Sequence, residues 1–193
     1  MNYKLITIGK TWKVIALLFL TACSNGQNSD SIKNNTEANQ QDIPEFEIIF
    51  PETEFKVETT TTTEPSVGNI LVTNQILQGA DSNGPFMYFI AYNEVPQNIK
   101  EITNGDPELL NTALRAMLVG SAEKLGGNDF EFKNIKYKNY IGVESICKVF
   151  DGDGIIKSRV YKIENYLFVA SAGGRKISLE SVDKFLNSFR LKN

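Results

Sequence analysis

The 193-residue chain contains no histidine. That absence removes the side chain that most often serves as general base and metal ligand near neutral pH. Ser-His-Asp and Cys-His catalysis are excluded, and so are ordinary zinc sites. Carboxylate-only or lysine-based chemistry is left. Cysteine is scarce as well, with only Cys23 and Cys147. A domain of about 150 residues buries roughly 68–70% of its unfolded surface and can fold without disulfides. Positive charge is in deficit, at 20 Lys+Arg against 23 Asp+Glu. Lys4, Lys10 and Lys13 fall in the first 22 residues, which hold no acid, so the remainder carries 17 bases against 23 acids, a net charge of −6. Such a balance leaves no electrostatic footprint for nucleic acid. It also argues against docking on an anionic bilayer by charge alone.

What is present begins with the amino terminus. Met1 to Lys13 is basic, and Val14 to Leu20 is a short apolar run. That run falls short of the ~20 residues a transmembrane helix needs and fits a secretory signal. Leu20-Thr21-Ala22-Cys23 follows, an aliphatic residue and two small ones before Cys. This resembles the bacterial lipobox. The resemblance implies a signal peptide over residues 1–22, diacylglycerol on the Cys23 sulfur, cleavage before Cys23 and acylation, such as palmitate, of the new terminus. Two or three acyl chains anchor stably where one does not. Residues 23–44 are polar, rich in Ser, Asn, Gln and Asp, and bury too little to offset their ordering entropy, so a tether is expected there. The expected partner is thus a lipid bilayer, reached through acylated Cys23. The expected location is the cell envelope, periplasmic or otherwise extracytoplasmic, on the outer membrane if the host is Gram-negative.

A globular domain is expected over residues 45–193. Phe46 to Phe50 alternates and stops at Pro51, as a short edge strand does. Phe55 to Thr63 is β-branched, and Gly68 to Gln78 and Phe86 to Val95 alternate. Phe86 to Val95 is apolar on both faces, which suits a central covered strand. The period then changes. Asp106-Pro107-Glu108 starts a helix, Leu110, Leu114, Met117, Leu118 and Leu125 share its stripe, and Gly126-Gly127 closes it. Four strands follow, over Asp129 to Lys138, Ile141 to Val149, Ile155 to Ile163 and Tyr166 to Ala172. A last helix starts at Ser178. Ile141, Val143, Ser145, Cys147 and Val149 share a face, which places Cys147 in the core as an inert thiol. The expected class is α+β, an antiparallel sheet flanked by helices.

The run Ile156 to Val169 and the ending Lys184-Phe185-Leu186-Asn187-Ser188-Phe189-Arg190-Leu191 resemble a hairpin and a closing helix of the PsbP-like family. Phe50-Pro51 with Phe55 resembles that family's opening. The likeness implies an α/β/α sandwich, an extracytoplasmic setting and an accessory or assembly role. No basic N-terminal extension of the photosystem-binding kind is present, so that role is not carried over.

Chemistry-bearing motifs are few. Asp151-Gly152-Asp153-Gly154 has the look of a calcium loop, but the following run is a β-pattern without acidic ligands, so it reads as a hairpin turn. Gly173-Gly174-Arg175-Lys176 before the Ser178 helix start could form an anion or partner contact through Arg175 and Lys176. Arg159 is either an ion-pair partner or a groove residue. No catalytic, cofactor-binding or metal residues are identified. The expected role is a non-enzymatic binding or assembly-accessory domain with a protein partner. The other reading is a carboxylate-dependent envelope hydrolase. Replacing Cys23 by Ser in the native host is expected to abolish signal processing and membrane fractionation, read by immunoblot of separated fractions. Unchanged processing and pelleting would remove the lipoprotein reading.

Overall fold

The computed structural model describes residues 43–64, 70–103 and 105–192. The expected signal over residues 1–22, Cys23 and all of the expected tether except residues 43 and 44 lie outside the described residues. The elements run β1 (Phe46–Glu47), β2 (Glu58–Glu64), β3 (Ile70–Asp81), β4 (Gly84–Glu94), α1 (Gln97–Thr103), α2 (Pro107–Glu123), β5 (Asn128–Tyr137), β6 (Tyr140–Val149), a 3-10 turn (Phe150–Gly152), β7 (Gly154–Ile163), β8 (Tyr166–Arg175), α3 (Leu179–Asn187) and β9 (Arg190–Leu191). Seven strands form one antiparallel sheet in the order β2-β3-β4-β8-β7-β6-β5, and β1 pairs with β9.

Local chemistry sets the boundaries. The Asp81 carboxylate accepts from the Asn83 N–H at 2.7 Å, and Gly84 takes φ 112°, which closes the β3–β4 hairpin. Asp106 caps α2 by accepting from the N–H groups of Glu108 and Leu109, with Pro107 at the first turn. Gly126 at φ 77° lets the chain turn back, and the Gly127 N–H donates to the Ala122 carbonyl. Ser178 caps α3 through the Ser181 N–H.

The sheet buries both faces. Under α1 and α2 lie Val143, Val160, Leu167 and Val169, packed against Ile99, Leu114, Met117 and Leu118. On the opposite face Leu77, Tyr88, Ala170 and Ala172 meet Val182, Phe185 and Leu186 of α3. Phe46, Ile48, Phe50 and Phe55 join that second layer from the extended N-terminal segment. The Phe46 ring is 5.2 Å from Tyr92 and 5.3 Å from Phe168, and Phe50 is 5.2 Å from Phe185. Each such aromatic contributes about 1.5–3 kcal/mol on full burial.

The expectation of an α+β fold with helices flanking the sheet, and of the α/β/α sandwich that the PsbP-like likeness implied, is overturned. The fold is β-rich, with few helices among the described residues. Helices α1 and α2 cover part of one face. The other face has no helical layer: nine-residue α3 shares it with an extended aromatic segment and the β1–β9 ribbon. A helix and an extended segment can both deliver an apolar stripe, so apolar periodicity alone did not separate them. The strand expected over Phe46 to Phe50 shrinks to two residues because only β9 is there to pair with it. Helix α1 was not anticipated, and β8 runs three residues past Ala172 to Arg175.

Two outcomes follow from this packing. Asp106→Ala should cost about 1 kcal/mol through loss of the cap, read from the urea midpoint at unchanged slope. Burial pushes the Cys147 thiol and the Tyr88 and Tyr161 phenols up from their ordinary values. The folded state then holds these protons to higher pH than the unfolded chain does. Their stabilisation is complete below the unfolded thiol range, about pH 8, and is lost as pH rises through roughly 8.5–10 and beyond. Urea midpoints measured across that range should fall.

Candidate functional site

The most apolar of the hollows found among the described residues lies at the end of the sheet beyond the C-terminus of α2. It is a cleft of about 390 Å³, walled chiefly by Met87, Phe86, Leu125, Val149, Phe150 and Ile156, with Gln78 at its rim. The register explains it. Met87 pairs with Gly173, and Gly173 with Ile156, so these three positions form one row on the α2 face. The middle position of the row has no side chain. A Cβ at Gly173 would meet the Ile155 carbonyl oxygen at 2.5 Å, and one at Gly174 the Pro85 oxygen at 2.5 Å. Glycine therefore lets β8 pass close to its neighbours and leaves the floor low. The helix that covers the rest of this face has already ended.

Phe150 forms one wall, and 37% of it is exposed. Phe150 and Asp151 both adopt left-handed backbone, at φ 51° and 54°, and Gly152 follows at φ 95°. A non-glycine residue held there costs of order 1 kcal/mol, so the surroundings impose the position of the ring. The guanidinium of Arg175 sits 5.2 Å from the centre of that ring. Arg175 pairs with Gly154, and Gly154 with Val149, so the next row along the same face carries the cation.

Around the end of the strand lies a second, more polar hollow of about 250 Å³, lined among others by Arg175, Lys176, Ser178, Asp81 and Tyr88. Arg175, Lys176 and the start of α3 do come together here. Gly173 and Gly174, expected in a loop, instead belong to β8 and pair with β4 and β7. The first turn of α3 is capped by its own Ser178 hydroxyl. Lys176 is tied at its backbone, its N–H donating to the Asp153 carbonyl.

Arg159 lies elsewhere, on the opposite face of the sheet. Its Nε donates to the Glu144 carboxylate at 2.7 Å and its Nη1 to the Asn187 side chain at 2.8 Å. Lys157 joins Asp183 at 2.6 Å and Glu144 at 3.5 Å. The Arg159 and Glu144 side chains are each 15% exposed. This network ties β6 and β7 to α3 and makes Arg159 an ion-pair residue. A signal for it existed in the sequence: folding the hairpin about its Gly152 turn sets Glu144 opposite Arg159, as the structure does. Cys147 is buried and unpaired. Cys23 lies outside the described residues. The cleft itself escaped the sequence reading, because its lining comes from five strands, the 3-10 turn and the segment just past the end of α2.

Among the described residues no three His, Cys, Asp or Glu side chains gather as a metal site. No helix among them is long and apolar enough to cross a membrane. No protein-family model matches the chain, and no curated protein matches it significantly.

The two arginines should separate in stability. Arg159→Ala should cost about 1–3 kcal/mol, because it strips a largely buried carboxylate of its closest partner. Arg175→Ala, at an exposed position, should stay within about 0.5 kcal/mol of the unaltered protein. Denaturant titration checks both.

Proposed function

We propose that the chain is a lipid-anchored cell-envelope protein whose globular unit is a non-enzymatic binding module. Its binding site is the cleft beside Phe150. The observation that carries the reading is the cleft itself: concave, almost wholly apolar, and within the ~300–1,000 Å³ typical of ligand pockets. The lipobox-like Leu20-Thr21-Ala22-Cys23 supports attachment at Cys23. The carboxylate-hydrolase reading gains no support. Glu144 and Asp183 are engaged by Arg159 and Lys157. Asp81 is occupied in its turn.

A photo-crosslinking residue in place of exposed Gln78, in the native host, tests the reading. Reproducible adducts to one ligand or partner, lost when a bulky residue fills the cleft, are expected. Absence of any adduct, together with turnover of a glycan or ester by the purified protein, would overturn it.

A further inference from the structure

We propose that the cleft takes a single-tailed anionic amphiphile of the fatty-carboxylate class. Its tail lies along the apolar floor and its head group meets Arg175. The inference rests on the binding reading above and names the ligand class for the same site.

Three observations converge on it. The lining supplies one polar side chain, Gln78, and is otherwise carbon or backbone. That surface can reward an alkyl chain and offers little to a polar ligand. A cation also stands just outside one wall of the cleft, in the adjoining hollow. At one end the register brings Arg175 onto the same face, one row beyond Met87, Gly173 and Ile156. Among the described residues no carboxylate lies within ion-pair distance of this guanidinium. Its recorded contact is the face of Phe150. Among the described residues no side-chain hydrogen bond engages this guanidinium, which leaves its N–H donors for a carboxylate. Finally, the wall that positions Arg175 is itself held in place by two consecutive left-handed residues, Phe150 and Asp151. An apolar cleft whose Phe150 wall carries a cation on its ring, in the adjoining hollow, matches a ligand with an apolar tail and one anionic end that reaches past that wall. An uncharged acyl chain, including one from the protein's own anchor, would fill the trough but gain nothing from Arg175.

The test uses the full chain in phosphatidylcholine nanodiscs, which avoids detergent, and a diazirine-bearing dodecanoate. Labelled peptides are mapped by mass spectrometry, and empty nanodiscs supply the background. Labelling should fall on β4, β8 and the Phe150 turn. Unlabelled dodecanoate should compete about tenfold better than dodecanol, the difference expected for one charge-assisted contact. Arg175→Gln should erase that difference while dodecanol competition persists. Met87→Trp should suppress labelling by blocking the trough. Gln78→Trp, at an exposed rim position, is a second blocking variant should Met87→Trp fail to fold. Equal competition by dodecanoate and dodecanol in the unaltered protein would overturn the inference, as would an Arg175→Gln variant that keeps the preference. Labelling still confined to the cleft would then leave the binding reading standing. No labelling of the cleft would overturn the inference too; if the Gln78 crosslinker also captures nothing and the purified protein turns over a glycan or ester, the binding reading falls with it.

Discussion

Strand β8 is the constraint on which the rest of the structure depends. Every residue from Tyr166 through Gly174 is buried, with β4 on one side and β7 on the other. A strand covered on both faces must be apolar or small at every position. This one also tapers. Toward α2 its side chains run Leu167, Val169, Ser171, Gly173, and toward α3 they run Tyr166, Phe168, Ala170, Ala172, Gly174. The large residues at its start seed both cores. The alanines farther on give Phe185 of α3 room to pack close. Ser171 hydrogen-bonds Ser158 across the ladder at 2.7 Å, in a row of small side chains that continues to Ser145. Where the taper reaches glycine, and α2 has ended, the cleft opens.

The two ends of β8 thus carry different duties. Its first half is bound into an aromatic layer in which Phe46, Tyr92, Phe168 and Phe189 stand within about one ring contact of each other. The chain's two ends meet there. Phe46 pairs with Leu191, the Lys192 N–H donates to the Glu45 carbonyl, and the Tyr137 hydroxyl accepts from the Leu191 N–H. Its second half has no such overlay on the α2 face. The Lys157–Glu144–Arg159 network braces the intervening strands against α3 on the side away from the cleft.

Element existence was well written in the residues, and element partnership was not. Alternation marks β4, β6 and β7, and Asp106-Pro107 with Gly126-Gly127 brackets α2 within a residue or two, because caps and alternation are local physics. The β1–β9 ribbon joins residues over 140 apart in sequence, and nothing local distinguishes Phe46-Glu47 from a strand at a sheet edge. The same limit misjudged the architecture. Apolar stripes at Phe46, Ile48 and Phe50 and at Val182, Phe185 and Leu186 could be assigned to core, but not to a face. Arg159 and Arg175 look alike in a one-dimensional reading. They differ in what lies opposite, Glu144 for one and Gly154 for the other. The Gly173-Gly174 pair was visible as a signal, yet its meaning changed. It does not shape a loop for an anion; it removes side chains from a strand between Met87 and Ile156.

The placement of the chain's entry relative to the cleft bears on how an anchored domain would work. The described chain enters beside Phe46, which packs on Phe168, whereas the cleft floor is at Gly173 and Gly174. Six residues of strand at ~3.3 Å each set these points about 20 Å apart along β8. If Cys23 carries the lipid, the attached chain joins the folded unit at the end of the sheet away from the cleft. A bilayer-resident ligand would then reach the cleft only where the far end of the sheet approaches the bilayer. A ligand free in the surrounding medium meets no such restriction.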